Sequence, residues 1–300
     1  MDATTLRFGP RRPLGRTHFV ASRLGIGDLA DRGSAPEKLV ATLHRALDAG
    51  LNVIDTAPNY EDGYSELVVG MALKDRREGV FLIDKIDHHD RPVAPQLEES
   101  LVRLALPSVD LLIFHAVSSL AGWHKLSGRA GGMEEARACI REGKARFRGI
   151  SSHHPEVLVA AIESGQCDVV MFPVGPFCDA RYFTEVLPLA KERHVGSVCF
   201  KAFGAGKLLA DTEGYGRPIG GAGSVPATPA LPHLSVEECV RYVLTYDPDV
   251  ALLGLSTPEE QDQAFDAAAR FTPMSGEELA DVRNRATEAT NGKGQVWWNP

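Results

Sequence analysis

Short apolar runs alternate with amphipathic stretches along most of this chain, and that alternation limits the fold more than any other feature. The runs SRLGIG (22–27), LNVIDT (51–56), VFLIDK (80–85), VDLLIFH (109–115), ARFRGIS (145–151), CDVVMF (167–172), VGSVCFK (195–201) and DVALLGL (249–255) have the length and β-branched content of buried strands. Between most of them apolar residues recur every three or four positions, which predicts helices over 35–50, 65–76, 95–106, 132–144, 155–165, 185–194, 235–246 and 258–271. Ser235 and Glu238 have the spacing of a capping box, Pro258 suits a first helical turn, and Gly50 and Gly165 stand where helices should stop. Eight strand–helix units in succession fit an α/β fold of the (β/α)8 TIM barrel type.

An open, doubly wound sheet is the alternative. GIGDLA followed by DRGS is a poor match to the GxGxxG turn such a sheet carries after its first strand. Outside the repeat, FGPRRPLGRTHFVAS (8–22) reads as an N-terminal β-hairpin closing the barrel bottom, and an extra C-terminal helix is expected over 275–290. The Gly- and Pro-rich stretch 204–234 has the length of a functional lid or of a disordered loop. Residues 1–300 are expected to form a single barrel domain.

Composition narrows function by exclusion. Forty acidic against 32 basic residues give a formal charge of -8, the wrong sign for nucleic acid or an anionic membrane surface. No apolar run approaches the roughly 18 residues a membrane span needs, and MDATTLRFGPRRPLG lacks the apolar core of a secretory leader. The five cysteines (Cys139, Cys167, Cys178, Cys199, Cys239) are scattered and form no CxxC pair, so they read as buried thiols of a cytoplasmic protein. His88–His89 and His153–His154 are adjacent pairs whose rings diverge on an extended chain, which makes poor chelates, and no metal is expected.

In a parallel barrel the chemistry gathers at the C-terminal strand ends. Here the second, third and fourth strands end in Asp55, Lys85 and His115, and Tyr60 follows Asp55 in NVIDTAPNYEDGYSE. Each group alone has an ordinary explanation: a loop cap, a solvated lysine, a hydrogen-bonded core histidine. Three in succession on one rim, with a tyrosine beside them, describe a site. A free phenol titrates near 10 and is a poor acid at neutral pH. A neighbouring ammonium favours the phenolate, an aspartate keeps that ammonium charged, and an imidazole orients an oxygen. Together they suit protonation of an oxygen that becomes negative as hydride reaches a carbonyl carbon. No side chain delivers hydride, so a cofactor is implied.

These segments resemble the aldo-keto reductases, (β/α)8 barrels that reduce aldehydes and ketones with a nicotinamide cofactor. NVIDTAPNYEDGYSE is similar to the family's aspartate-to-tyrosine segment, FLIDK to its lysine strand and DLLIFHAV to its histidine strand. The resemblance covers nearly the whole chain and implies that Asp55, Tyr60, Lys85 and His115 are the catalytic tetrad, with Tyr60 as proton donor. GISSHHPEVL, LPLAKERHVGSVCFKAFGAGKLL and RYVLTYDPDVALLGLSTPEEQ look closest to a bacterial subgroup whose relatives often carry an appended iron–sulfur segment, which these residues lack.

The resemblance also implies the cofactor contacts. Ser151 and Ser152 stand at the family's Ser-Asn pair beside the nicotinamide amide, and Met171 replaces a glutamine, losing an amide donor. Phe200 matches the residue that packs on the nicotinamide ring. Lys201 follows it, and Phe203, Gly204 and Gly206 match the loop around the pyrophosphate. Ser256, Thr257 and Glu260 lie at the adenosine end, where relatives that prefer NADPH hold its 2′-phosphate with basic and hydroxyl groups, and Ala264 replaces an asparagine. The family implies NADP(H); the local carboxylate favours NAD(H). Asp28 is a ribose or substrate contact or an exposed loop acid. Trp123 falls in a loop that lines substrate pockets in the family, and Trp297 and Trp298 fold over the mouth or pack on the wall.

The expected function is hydride transfer between a nicotinamide and a small carbonyl substrate. A redox-sensing, nicotinamide-binding barrel with little or no turnover is the alternative, and an inactive barrel with a decayed cofactor grip is a third. The retained Tyr60 and His115 favour catalysis, while Met171 and Ala264 argue the other way. The substrate and the oligomeric state are not legible.

Overall fold

The structure, a computed structural model, describes residues 11–27, 32–220, 231–255, 257–296 and 298. Each apolar run forms a strand: β3 (Leu24–Ile26), β4 (Val53–Asp55), β5 (Phe81–Ile86), β6 (Leu111–Phe114), β7 (Phe147–Ser151), β8 (Val169–Pro173), β9 (Gly196–Phe200) and β10 (Val250–Leu253). All pair in parallel with their sequence neighbours, and β10 pairs with β3 to close the barrel. The twofold repeat of extended chain splits each strand between two cores. Val53, Phe81, Ile83, Leu111, Ile113, Val169, Met171, Val198, Val250 and Leu252 fill the interior. Alternate residues such as Ile54, Leu82, Leu112, Val170 and Leu253 join the apolar layer packed with the helices.

The expected hairpin seals the bottom. Strands β1 (Arg12–Pro13) and β2 (Val20–Ala21) pair antiparallel. Leu14, wholly buried, joins the interior cluster, and the Phe19 ring lies 5.0 Å from that of Phe81 at the start of β5. The plug touches bare backbone. Gly15 has φ +48°, and a Cβ there would sit 2.2 Å from the Gly196 nitrogen, so any larger residue is excluded.

The outer layer is α1 (Pro36–Asp48), α2 (Tyr64–Leu73), α3 (Val93–Leu104), α4 (Leu120–Ser127), α5 (Gly132–Arg141), α6 (Pro155–Glu163), α7 (Leu187–Glu192), α8 (Val236–Tyr246), α9 (Pro258–Ala269) and α10 (Gly276–Thr290). The Ser235–Glu238 capping box is present, and Thr257–Glu260 and Ser275–Glu278 form two more. Pro188 sits in the first turn of α7, and the helix expected over 185–194 is entered through a π-helical segment over Tyr182–Val186. Helix α4 lies where a loop was expected. It buries Trp123 and Leu126 in the outer apolar layer. Among the described residues no helix is long and apolar enough to cross a membrane.

Asp84 departs from the apolar pattern. It faces the helices from β5 and is wholly buried. Burial, with the neighbouring Glu66 carboxylate adding to it, pushes its carboxyl up to about 8. Glu66, also buried, pairs with Arg103. The folded state therefore holds a proton that the unfolded chain releases near pH 4. Below pH 4 both states are protonated; between about pH 4 and 8 stability falls as pH rises. Asp84→Asn, which cannot ionise, should raise Tm at pH 8 by several degrees and lose that advantage near pH 4, as followed by calorimetry across that range.

Candidate active site

The inward positions on three adjacent strands read Val53, Asp55; Phe81, Ile83, Lys85; and Leu111, Ile113, with His115 next beyond β6. Apolar residues fill the barrel's lower interior, and the last inward position of each is ionisable. Lys85 is 1% exposed and donates from Nζ to Asp55 Oδ1 at 2.6 Å and to the Thr56 carbonyl at 2.7 Å. Asp55 is 4% exposed, so the ion pair is shielded from water. Burial drives the Asp55 carboxyl up, opposed first by Lys85 and then by His115 and Tyr60. Removing one member of such a pair leaves a buried charge uncompensated, at a cost of about 3–5 kcal/mol.

Tyr60 comes to this pair on a strained turn. The chain leaves β4, makes a short 3₁₀ turn over Tyr60–Gly63 and enters α2. Glu61 and Asp62 adopt φ +50° and +51°, left-handed values that side chains disfavour, and Gly63 follows at +83°. Arg32 braces the turn, donating Nε to the Glu61 carbonyl at 2.9 Å and pairing with Asp62 at 2.9 Å. The phenol hydroxyl is 3.5 Å from Asp55 Oδ2, and Lys85 Nζ is 4.3 Å from the ring centre. The His115 ring stands edge-on to it, centroids 5.8 Å apart. The four side chains expected from the strand ends thus meet at one rim.

Sequence reasoning missed a fifth. Asp87 Oδ1 lies 2.6 Å from His115 Nδ1, and its Oδ2 accepts the Asn59 backbone N–H at 2.9 Å. Burial raises the Asp87 carboxyl, but His115, the Asn59 N–H and Lys85 more than offset this, and it lies below its ordinary value. The signal was present: Asp87 stands two residues past Lys85 in FLIDKID, the same face of an extended chain.

A model of the aldo/keto reductase family matches residues 22–221, two thirds of the chain and the part that carries all of these groups. The chain belongs to that family. Among curated relatives, it is 29% identical over 222 residues to the aldo-keto reductase YhdN of Bacillus subtilis, spanning 66% of this chain and 64% of the relative. It is 25% identical over 212 residues to an NADH-specific methylglyoxal reductase of Escherichia coli, spanning 61% and 64%. The chain thus matches under two thirds of the length of either relative. A solved aldo-keto reductase from Bacillus halodurans superimposes with a TM-score of 0.71 at 24% identity, covering 92% of this chain and 95% of that one, a likeness of fold.

The positions matched to this family's cofactor contacts divide. Phe200 ends β9 half-buried, its ring 5.5 Å from that of His153. Ser151 Oγ accepts the Ala116 N–H at 2.8 Å, which leaves its own hydrogen to donate. Ser152 is wholly buried, and its Oγ donates to the Val117 carbonyl at 2.7 Å and accepts the His154 N–H at 3.0 Å. Met171 points into the barrel core, 1% exposed. Lys201 Nζ reaches the Tyr215 hydroxyl and lies 5.4 Å from the Trp298 ring. Trp298 is buried against the wall, and Phe203 packs on the outer layer.

The groups expected at the phosphate end make local hydrogen bonds. The N–H groups of Gly204, Gly206 and Lys207 donate to Lys201, Phe203 and Gly204 carbonyls within their own turn, so the first two are spent locally. Thr257 Oγ1 accepts the Glu260 N–H and Glu260 Oε2 accepts the Thr257 N–H, both at 3.2 Å, so both side chains serve the start of α9. Asp28, Ser256, Trp297 and the part of the 204–234 stretch over 221–230 lie outside the described residues.

Proposed function

We propose that this chain reduces a small aldehyde or ketone, or oxidises the matching alcohol, with a nicotinamide dinucleotide as redox partner. The observation that carries the reading is the Lys85 ammonium, buried on Asp55 and 4.3 Å from the Tyr60 ring centre. The donor set fits such a cofactor, because it can move a proton to an oxygen and contains nothing that delivers hydride. Ser151 and Phe200 are the residues that would hold the nicotinamide end, and Lys201 with Phe203 the stretch toward the phosphates. When bound, the cofactor supplies the hydride.

Everything else is proton handling by the chain itself. As a carbonyl oxygen turns negative, Tyr60 gives it the phenolic hydrogen, and Lys85 stabilises the phenolate left behind. Asp55, with the Thr56 carbonyl, accepts from Lys85 Nζ and holds it beside the phenol. His115 hydrogen-bonds the same oxygen and sets its angle. Buried thiols pushed up to about 12, as at Cys167 and Cys178, are unreactive and suit a reducing compartment, and we place the protein in the cytoplasm.

For the cofactor itself we favour NADH. The Glu260 carboxylate caps α9, the helix whose start seats the 2′-phosphate in family members that prefer NADPH, and like charges repel there. Equilibrium titration should give tighter binding of NADH than of NADPH. Glu260→Gln should narrow that ratio by roughly fivefold, the worth of about 1 kcal/mol between exposed charges. Preference for NADPH that ignores this substitution would contradict it. For the chemistry, Tyr60→Phe should bind the dinucleotide as the parent does and lose ~10² to 10⁴ in kcat for aldehyde reduction. Undiminished turnover would remove the proton-donor role.

A further inference from the structure

Beyond α10 the chain reads NGKGQ, and its lysine is buried while the residues on either side face water. Gly292 and Gly294 turn the chain around it, at φ +77° and +76°. Lys293 Nζ donates to the carbonyls of Lys207 at 2.8 Å, Ala210 at 3.0 Å and Pro232 at 3.3 Å, with Asp211 Oδ1 at 3.4 Å. Lys207, also wholly buried, donates its own Nζ to the Lys293 carbonyl. We propose that Lys293 is a positioning residue for the dinucleotide: its ammonium fixes the loop after β9 that carries Lys201 and Phe203, without touching the ligand. This role rests on the carbonyl-reductase reading above and deepens it.

An ammonium has three hydrogens and no lone pair. Here those hydrogens are met by carbonyls from two stretches, 207–211 and 231–234, neither of which belongs to a helix or a strand. Carbonyl oxygens aimed at one point repel one another unless a cation sits between them. A side chain of similar length without the charge leaves those oxygens buried and unanswered. Asp211 belongs to the same knot: it bonds the His233 ring at 2.8 Å and accepts the Leu231 N–H at 3.4 Å. The Leu234 N–H adds a bond to the Leu208 carbonyl at 2.8 Å.

The knot is continuous with the residues assigned to the cofactor. The Lys207 N–H donates to the Gly204 carbonyl at 3.1 Å, and the Gly204 N–H to the Lys201 carbonyl at 2.9 Å. Within that span Lys201 and Ala205 hold φ at +67° and +55°. Residues other than glycine keep such left-handed values only where their surroundings impose them. Trp298, from the same C-terminal stretch as Lys293, is wholly buried with its ring 5.4 Å from Lys201 Nζ. Loss of the Lys293 ammonium therefore removes the restraint at one end of a strained turn whose other end is Lys201.

The test is equilibrium titration of NADH, and of NADPH in parallel, into the full-length protein, followed by nucleotide fluorescence, in the parent, Lys293→Met and Lys293→Gln. Methionine keeps most of the stem and has no donor; glutamine keeps two N–H donors on a shorter stem and has no charge. Each protein is measured well below its own melting temperature, so that unfolding does not enter the result. Kd should rise by roughly tenfold in Lys293→Met and by less in Lys293→Gln, the effect of one unmet buried acceptor. At saturating dinucleotide, kcat and KM for the aldehyde should match the parent's, a split that general loosening of the barrel would not produce. Unchanged Kd in folded Lys293→Met overturns the proposal, and so does a fall in kcat at unchanged Kd. Where Lys293→Met does not fold, Lys293→Gln decides on the same terms. A Kd that rises in Lys293→Met, in a protein that reduces no carbonyl, upholds the positioning role and removes the reductase reading instead. A parent that binds neither dinucleotide overturns both.

Discussion

The buried ion pair between Lys85 and Asp55 is the constraint around which the rest of the site is arranged. A lysine at 1% exposure is tolerable only with its charge answered, and here a carboxylate and a backbone carbonyl answer it. Both residues sit at the upper end of an inward-facing series whose lower members are apolar. The barrel's stagger makes the meeting possible. Asp55 is in register with Ile83, and Lys85 stands two positions further along β5, on the same inward face.

Around the pair, strain and bracing do the placing. Two non-glycine residues in left-handed conformation directly after Tyr60 turn the chain sharply enough for α2 to begin at Tyr64. That strain persists because Arg32 holds the turn from outside and Asp87 holds its start from inside. The phenol is thus fixed by backbone contacts on either side of it.

Most of the architecture could be read from residue order, for a simple reason. Eight apolar runs alternating with amphipathic ones leave few foldings, and cap signals such as Ser235 with Glu238 mark their own helix. The strand-end tetrad was legible because a charged group closing an apolar run is rare without cause. Helix α4 was not, since SSLAGWHKLSG is rich in glycine and serine and becomes helical by burying Trp123 and Leu126. Hydroxyls were the weakest guide. Nothing in sequence shows that Ser152 bonds a carbonyl 35 residues away. Asp87 was overlooked because it follows the more conspicuous lysine.

The central claim is that the Lys85 ammonium makes Tyr60 acidic enough to act near neutral pH. Tyrosinate absorbance titrated in the intact protein, with Tyr60→Phe subtracted to isolate one phenol among six, tests it most directly. This phenol should ionise well below the ordinary value near 10 and return to it, or above, in Lys85→Met. A Tyr60 that titrates as a free phenol does, unmoved by the loss of Lys85, would contradict the claim.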